Sequence, residues 1–390
     1  MADSITVVPA DEVLLNEYDT LATRAYGRRV HDVTQLAEHA DVRVALQGGR
    51  VIAGGLGMLI PQHFGGRPVP SAILGAGCVA PEHRGDRLTV RMLNERIRPL
   101  AEQGAVLATV WTSSNGYARS MGWEAPVSVF SWSVPTDALK RDFAPGDFEI
   151  EHGLTPGSEQ LQRHLAPLWN GTLLRPPWWT AHTQRRHNLT FYRFRCPGWG
   201  TAGYLSLATR HHDRHGAHLD VHDFWASDNT VASAMLAFLG RHNSRIPTIC
   251  FQRTSLPPHP LLLHGLHRYG SATAEAWHPW MLRLLDLPEA IRLRGWPADL
   301  DTTLPIGIEQ ENGETSRYLL RISHGTADLQ PTTVECRVRL THRQATVWFA
   351  GGYRSTAAAR MAGVHSADDQ SLATLIRSTT DHEIWLAEHF

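Results

Sequence analysis

The chain has few cysteines and almost no net charge. Its four cysteines are scattered over 390 residues, and no two of them form a Cys-x-x-Cys pair. This spacing indicates neither a zinc knuckle nor a disulfide framework, and no metal is expected. The formal net charge is −1 at pH 7. The chain therefore lacks the basic excess with which a dedicated nucleic-acid-binding protein neutralises phosphates.

Long apolar segments are missing as well. No apolar run reaches the about 18 residues that a membrane-spanning helix needs, and the N-terminus lacks the basic-then-apolar pattern of a secretory signal. We therefore expect a soluble, cytoplasmic protein without nucleic-acid or membrane partners. The composition is globular, with 42% hydrophobic residues, 19% charged residues and 13 Trp. The length is sufficient for two or three domains.

The most informative stretch of the sequence runs from Cys78 to Met92. An apolar strand ends at Pro81, which cannot donate to a sheet ladder. A basic turn, Arg84-Gly85-Asp86-Arg87, follows, and apolar residues then recur at helical spacing from Leu88. A basic turn between a strand and a helix N-terminus favours anion binding, because the first-turn amides lack partners and the helix dipole adds positive potential. An ordinary connection with solvated arginines has the same pattern, so both interpretations stay open at this point.

The chain divides into three predicted units. Residues 1–140 combine two helices, an apolar hairpin across Gly48-Gly49 and the strand–turn–helix stretch, with Val127–Val134 as the closing strand. Residues 141–280 have a similar order of strands and helices, but no basic turn precedes their helix. Residues 281–390 alternate strands with helices up to an apolar tail. We therefore predict an α+β fold in which the second unit is a degenerate copy that binds no cofactor.

Histidines are concentrated in one short run of the second unit. The run extends from His211 to His218, with His222 close behind it. Its ligand spacing is loose, and the pattern predicts a loop between strands. We interpret the run as a solvated loop rather than a metal site.

Several motifs occur in the order that is typical of one family. The first unit contains Val79-Ala80-Pro81-Glu82-His83-Arg84, the second Leu173-Leu174-Arg175-Pro176, and the third begins with Arg283-Leu284-Leu285-Asp286-Leu287-Pro288-Glu289-Ala290. A Gly351-Gly352 turn precedes a predicted helix, and the chain ends on Phe390. This ordered set resembles the Eis ("enhanced intracellular survival") aminoglycoside N-acetyltransferases of the GNAT superfamily. The resemblance implies two tandem GNAT domains, a sterol-carrier-protein-like domain, acetyl-CoA as cosubstrate and a homo-oligomer, often a hexamer.

The resemblance places acetyl-CoA at the strand–turn–helix stretch of the first unit. The superfamily signature is Arg/Gln-x-x-Gly-x-Gly/Ala, but Arg87 stands where the central Gly is usual and Thr89 where the small residue is usual. Most contacts are expected from the backbone. The expected contact residues are Gly77, Cys78 and Val79 at the pantetheine, Arg84, Gly85, Asp86, Arg87 and Leu88 at the pyrophosphate, and Ser113 nearby.

Acyl transfer to an amine needs a neutral amine, a polarised thioester and a proton donor for the departing thiolate. In the family the base is the C-terminal carboxylate of a last-residue Phe, which implies this role for Phe390. The apolar segment Ile384-Trp385-Leu386 suits insertion of the terminus into a desolvated site. The family's acid is a Tyr four residues before the Gly of the catalytic turn. Strict register from Gly122 gives Ala118, so the candidate acid is Tyr117, one position earlier.

An aromatic acceptor pocket is also expected, with Trp178, Trp179, Trp385 and Glu388 as candidates. Family members that acetylate polycationic aminoglycosides have an acidic residue in the first helical region, where this chain has the basic segment Ala25-Tyr26-Gly27-Arg28. A less charged amine, such as an amino sugar, an amino acid or a peptide lysine, suits this difference. Two alternatives stay open: an acyltransferase that tailors a peptide or another natural product, and a non-enzymatic lipid or ligand carrier with a decayed CoA site.

Overall fold

The structure is a computed structural model that describes residues 4–27, 32–85, 87–198, 200–212, 216–258, 264–268, 270–310 and 313–390. Its backbone contacts divide the chain into two compact units. The first unit contains the chain up to Val127, then Pro279–His382, and finally Phe390; the second contains Ser128–His278 and Glu383–His389. In the part of the chain that the structure describes, no helix is long and apolar enough to cross a membrane.

The strands are numbered in chain order. They are β1 Thr6–Pro9, β2 Asp41–Gln47, β3 Arg50–Leu59, β4 Gln62–Phe64, β5 Arg67–Val69, β6 Ser71–Val79, β7 Leu107–Trp111, β8 Phe130–Pro135, β9 Glu149–His152, β10 Trp169–Asn170, β11 Thr190–Cys196, β12 Gly200–His212, β13 Gly216–Ala226, β14 Thr248–Phe251, β15 Thr273–Ala276, β16 Trp280–Leu284, β17 Thr302–Glu309, β18 Thr315–Ser323, β19 Thr326–Pro331, β20 Val338–Thr341, β21 His365–Ser366 and β22 Glu383–Ile384.

The α-helices are numbered in the same way. They are α1 Glu12–Tyr26, α2 Asp32–Gln35, α3 Leu88–Glu102, α4 Asn115–Arg119, α5 Thr136–Asp142, α6 Pro156–Leu165, α7 Trp179–His187, α8 Asn229–Gly240, α9 Leu287–Leu293, α10 His342–Ala350, α11 Thr356–Met361 and α12 Asp369–Arg377. Short 3-10 turns occur at Pro81–His83 and Ala166–Leu168.

The first unit is built on two larger sheets. One has six strands in the order β1-β2-β3-β6-β7-β16, and the other has five strands in the order β19-β18-β17-β20-β21. On the six-stranded sheet, α3 buries Leu88 and Met92 against Ala45 and Ile52 of the strands. Burial of the apolar face of α3 fixes the helix on the sheet, so the loop before Leu88 has a defined end point.

The second unit contains a seven-stranded sheet in the order β15-β8-β14-β13-β12-β11-β9. Its larger apolar core contains Val221 and Ile249 from the sheet and Met235 from α8. The side chain of Asp228 caps α8 by accepting hydrogen bonds from the amides of Thr230 and Val231, and Asp is one of the residues preferred at this position.

One strand prediction is wrong. Val127–Val134 is predicted to close the first unit, but β8 lies in the second unit's sheet, between β14 and β15. The first unit's sheet is completed by β16, in which Leu284 pairs with Leu107. The side chain of Trp280 is fully buried and its indole nitrogen donates to Thr109 Oγ1. Local periodicity identifies Val127–Val134 as a strand, but the partner of a strand depends on side-chain fit across the sheet.

Candidate active site

In the first unit, β6 and β7 begin as a parallel ladder and then separate. Their pairing runs from Ser71 with Leu107 to Leu74 with Val110. Just beyond this point, the register of β6 against β3 slips, and Ala76 adopts a left-handed conformation with φ of +49°. Such a bulge bends a strand away from its neighbour. The backbone from Gly75 to Val79 therefore lies outside the β6–β7 ladder, where an extended ligand can pair with it.

A buried arginine on α3 holds the bulge in place. Arg96 is 3% exposed. Its Nε donates to the Leu56 carbonyl at 3.1 Å, and its Nη2 donates to the Gly75 carbonyl at 2.7 Å. A Cβ atom on Gly77 would lie 2.7 Å from Arg96 Nη1, so a larger residue there would have to displace the buried guanidinium group. Burial lowers the pKa of Arg96, because the protein interior solvates a cation less well than water does.

Two tyrosines of α1 bind the next two carbonyls of the bulge. Tyr18 donates its hydroxyl to the Ala76 carbonyl, and Tyr26 donates to the Gly77 carbonyl at 2.6 Å. The Cys78 thiol lies 3.6 Å from the Tyr18 oxygen, to which it donates. Burial raises the pKa of Cys78. Tyr26 lies in the segment where an acidic residue would be expected, and Arg28 of that segment lies outside the described residues.

The turn between β6 and α3 contains two residues in left-handed conformations. Gly85 has φ of +108°, and Arg87, which directly precedes α3, has φ of +55°. A left-handed conformation favours glycine, because other L-residues place Cβ too close to the following carbonyl. Arg84 and Arg87 are exposed, whereas Leu88 is buried in the core. Leu88 therefore offers only its backbone to a ligand, and Asp86 lies outside the described residues.

The hydroxyl of Tyr117 lies at the N-terminus of α3. Tyr117 belongs to α4, and its oxygen accepts a hydrogen bond from the amide of Val90 at 3.1 Å. That amide lies in the first turn of α3 and also donates to the carbonyl of Arg87, the residue before the helix, at 3.0 Å. A donor at the positive end of a helix stabilises the anion that remains after the phenol releases its proton. Ser113 lies exposed in the turn between β7 and α4.

The C-terminal carboxyl group lies where β6 and β7 separate. The carboxyl carbon of Phe390 is 3.6 Å from the position that a Cβ atom on Gly75 would occupy. The centroid of the Phe390 ring lies 6.5 Å from the centroid of the Trp111 ring, and Trp111 is the last residue of β7. Phe390 is half-buried. The terminus is therefore packed against the end of the ladder rather than frayed.

In the second unit, Glu388 has structural partners for both carboxylate oxygens. Oε2 accepts from the Leu173 amide at 3.1 Å, and Oε1 accepts from Arg175 Nε at 2.8 Å. Arg175 also donates to Asp223 at 2.6 Å and to the Tyr204 hydroxyl at 3.0 Å. Glu388 is 2% exposed. Both carboxylate oxygens therefore make contacts that hold the tail within the second unit, and a role of Glu388 in acceptor binding stays a prediction.

Two of the three candidate tryptophans are core residues of the second unit. Trp385 is 2% exposed, packs against Trp225 at 4.6 Å between ring centroids, and donates to the Thr254 carbonyl at 2.5 Å. Trp179 is 4% exposed, whereas its neighbour Trp178 is half-buried. The rings of Trp179 and Trp385 therefore serve packing, and Trp178 alone of the three keeps substantial exposed surface.

Tyr18 and Arg96 are not among the site residues that the sequence predicts. A signal for Arg96 exists, because it follows Met92 and precedes Leu100 at four-residue spacing on the apolar face of α3. A charged residue in the middle of such a face has to find buried partners.

The predicted His-rich loop is largely strand. His211 lies in β12 and His218 in β13, two strands of 13 and 11 residues that pair with each other. His222 lies at a slip in the register of the same pair, between the partners of Ser206 and Leu207. The intervening residues 213–215 lie outside the described residues.

Three stretches of the chain match known domain families. Residues 12–125 and residues 171–284 each match an acetyltransferase (GNAT) domain, and residues 287–387 match a sterol carrier protein domain. No curated protein matches the chain as a sequence relative.

Solved structures with the same fold span essentially the whole chain. The GCN5-related N-acetyltransferase from Anabaena variabilis has a TM-score of 0.86 and 18% identity, covering 99% of this chain and 100% of that one. The enzyme of the same description from Kribbella flavida has a TM-score of 0.80 and 20% identity, with coverages of 100% and 99%. Eis1 from Mycobacterium abscessus has a TM-score of 0.77 and 16% identity, with coverages of 99% and 100%. At these identities the likeness establishes the fold, with two GNAT domains and a C-terminal sterol-carrier-like domain.

Proposed function

The chain belongs to the GNAT acetyltransferases, and we propose that it transfers the acetyl group of acetyl-CoA to a primary amine of a small molecule. The main support is the position of Phe390, whose carboxyl carbon lies against Gly75 where β6 and β7 separate. A carboxylate at this point is suited to take a proton from an amine that approaches a thioester bound along β6.

The residues around β6 and α3 fit acetyl-CoA as a substrate. The β6 backbone beyond Gly75 is outside the ladder with β7. The carbonyls of Ala76 and Gly77 already accept from two tyrosine hydroxyls, so the remaining backbone groups of this segment are the ones that can pair with the pantetheine arm. The first turn of α3 presents amides to the pyrophosphate, and the exposed side chains of Arg84 and Arg87 add positive charge. Leu88 contributes through its backbone.

In the proposed reaction the amine nitrogen attacks the thioester carbonyl carbon, and the carbon–sulfur bond breaks as the amide forms. The Phe390 carboxylate takes the proton that the nitrogen loses. The Tyr117 hydroxyl gives its proton to the departing thiolate, and the Val90 amide at 3.1 Å stabilises the resulting phenolate. The Phe390 carboxyl group then releases its proton to solvent and the Tyr117 phenolate takes one up, which restores the enzyme.

We propose that the acetyl group passes directly from the thioester to the amine, without a covalent acyl-enzyme intermediate. Cys78 is the cysteine on the cofactor strand, and burial raises its pKa, so the thiol stays protonated. The thiolate, not the thiol, is the nucleophile in cysteine chemistry. Cys78 therefore serves packing and a hydrogen bond to Tyr18.

The acceptor class is a second part of the proposal. Tyr26 is bonded to the Gly77 carbonyl in the segment where an acidic residue would attract a polycation. We therefore expect an amine of low charge, such as an amino sugar or an amino acid, to be preferred to an aminoglycoside. A tailoring acyltransferase with a peptide or other natural product as acceptor is the alternative that this observation also favours.

An acceptor panel tests the proposal. The full chain is incubated with acetyl-CoA and, separately, aminoglycosides, amino sugars, amino acids and lysine peptides, and products are identified by mass spectrometry. Acetylation of at least one primary amine is expected, and calorimetry should detect acetyl-CoA binding. If acetyl-CoA neither binds nor acetylates any amine, the enzyme assignment fails and the alternative of a ligand carrier gains support.

A further inference from the structure

Three side chains on the second unit's sheet form a cluster that the proposed reaction does not use. They are His218, Asp220 and Cys250, and one potential ligand atom of each lies within 4.8 Å of the other two. No other group of three such residues is this close together among the residues that the structure describes. We propose that this cluster binds a divalent transition metal of the zinc type.

The strand register explains why the three side chains meet. His218 and Asp220 are two residues apart on β13, so they point to the same face of the sheet. Cys250 lies directly opposite Asp220 on the parallel strand β14. The intervening residue Leu219 and its partner Ile249 are buried in the large core on the opposite face. The hydrophobic core thus fixes which side of the sheet the cluster occupies.

The distances suit a tetrahedral metal. His218 Nε2 lies 3.4 Å from Asp220 Oδ1. Ligands at the usual zinc–nitrogen and zinc–oxygen distances are separated by about 3.4 Å along the edge of a tetrahedron. Cys250 and His218 are half-buried, so small side-chain rotations can bring the third ligand atom into range. A water molecule would complete the four ligands.

The ligand types are those that zinc accepts. An imidazole nitrogen, a thiolate sulfur and a carboxylate oxygen all occur in zinc sites, whereas calcium and magnesium prefer oxygen alone. Gln252 donates to Asp220 Oδ1 at 2.8 Å and orients the carboxylate. Second-layer hydrogen bonds of this kind position the ligands of most metal sites.

One neighbouring cation opposes binding. Arg210 Nε lies 3.7 Å from Asp220 Oδ2, and the arginine side chain is 44% exposed. The arginine end of this pair is solvent-exposed, so solvent screens its charge and keeps the attraction modest. The arginine therefore weakens metal binding without preventing it, and its removal provides a test with a defined direction.

The experiment uses the full chain after treatment with a chelator and dialysis. Cobalt(II) is titrated first, because a cobalt–thiolate bond has a charge-transfer absorption, and zinc is then added to displace it. One equivalent of cobalt with this absorption is expected in the wild-type protein. Cys250→Ser should lose the absorption, whereas the control Cys196→Ser, on β11 of the same sheet, should retain it.

Two further variants leave all three ligands in place. Gln252→Ala should weaken zinc affinity about 10–100-fold, as second-layer changes commonly do. Arg210→Gln should strengthen it about two- to fivefold, the factor that corresponds to loss of an ion pair whose arginine is screened by solvent. Absence of cobalt–thiolate absorption in the wild-type protein, or its persistence in Cys250→Ser, would overturn the proposal. Circular dichroism shows whether each variant folds. If Cys250→Ser or Gln252→Ala does not fold, the zinc affinity of Arg210→Gln decides whether the proposal stands.

Discussion

Addition of one glycine after Phe390 should abolish turnover while acetyl-CoA binding is retained. The extended chain replaces the Phe390 carboxylate with a neutral amide and moves the charge by about 3.6 Å, the length of one residue. The carboxyl carbon of Phe390 lies 3.6 Å from the position that a Cβ atom on Gly75 would occupy, so the added residue moves the charge away from the point where β6 and β7 separate. Loss of a general base costs about 10²–10⁴-fold in rate, or roughly 2.7–5.5 kcal/mol in activation free energy.

The matched control is Phe390→Leu, which keeps the terminal carboxylate. It removes the contact between the Phe390 and Trp111 rings, whose centroids are 6.5 Å apart. An aromatic pair contributes about 0.5–1.5 kcal/mol, so this variant should lose about tenfold or less in rate. The comparison therefore separates the role of the charge from that of the ring.

The assay measures initial rates of CoA release with the best acceptor of the panel, together with acetyl-CoA affinity by calorimetry. Circular dichroism verifies the fold of both variants. The terminal-carboxylate mechanism is refuted if the extended protein keeps wild-type turnover, or if Phe390→Leu loses as much activity as the extension. A loss of acetyl-CoA binding in the extended protein would mean that the terminus supports the cofactor site rather than the proton transfer.

Four further predictions can be tested with standard methods. Arg84→Ala should weaken acetyl-CoA affinity by about 1.5–3 kcal/mol, the contribution of a charged hydrogen bond, and an unchanged Michaelis constant would place the pyrophosphate elsewhere. In urea denaturation, Arg87→Gly should have a free energy of unfolding about 0.5–1 kcal/mol higher than that of Arg87→Ala. The reason is that glycine adopts the φ of +55° at this position without steric strain, whereas alanine does not. Equal stabilities of the two variants would contradict this. Burial lowers the pKa of His222 from 6.5 to about 4, so the unfolded chain takes up a proton first as the pH falls below 6.5. With chelator present, this group should therefore reduce the free energy of unfolding by about 1.6 kcal/mol between pH 6.5 and pH 5. His222→Gln should remove this loss, and an unchanged pH slope in that variant would disprove the prediction. Light scattering should detect a homo-oligomer at micromolar concentration, and a monomer would contradict that expectation.

Local sequence patterns were sufficient for the order of elements around the candidate site. The apolar run before Pro81, the basic turn and the helical spacing from Leu88 predict β6, the turn and α3, and the structure contains all three. These features depend on residues close together in the chain, where backbone geometry and side-chain periodicity act directly. The ordered motifs likewise identified the tandem GNAT architecture with a sterol-carrier-like domain, which the domain matches confirm.

Partners that are distant in the chain were decided by the tertiary structure alone. Tertiary structure places β8 in the second unit's sheet and β16 in the first unit's sheet. It also brings Arg96 to the Gly75 carbonyl and His218 close to Cys250. Each of these contacts joins segments that local patterns treat separately. The sequence by itself determined that Glu388 is an acid near the terminus, but only packing decided that it is buried against Arg175. The physical reason is that burial and pairing depend on which surfaces meet, and a charged group excluded from water is stable only where the fold brings it a partner.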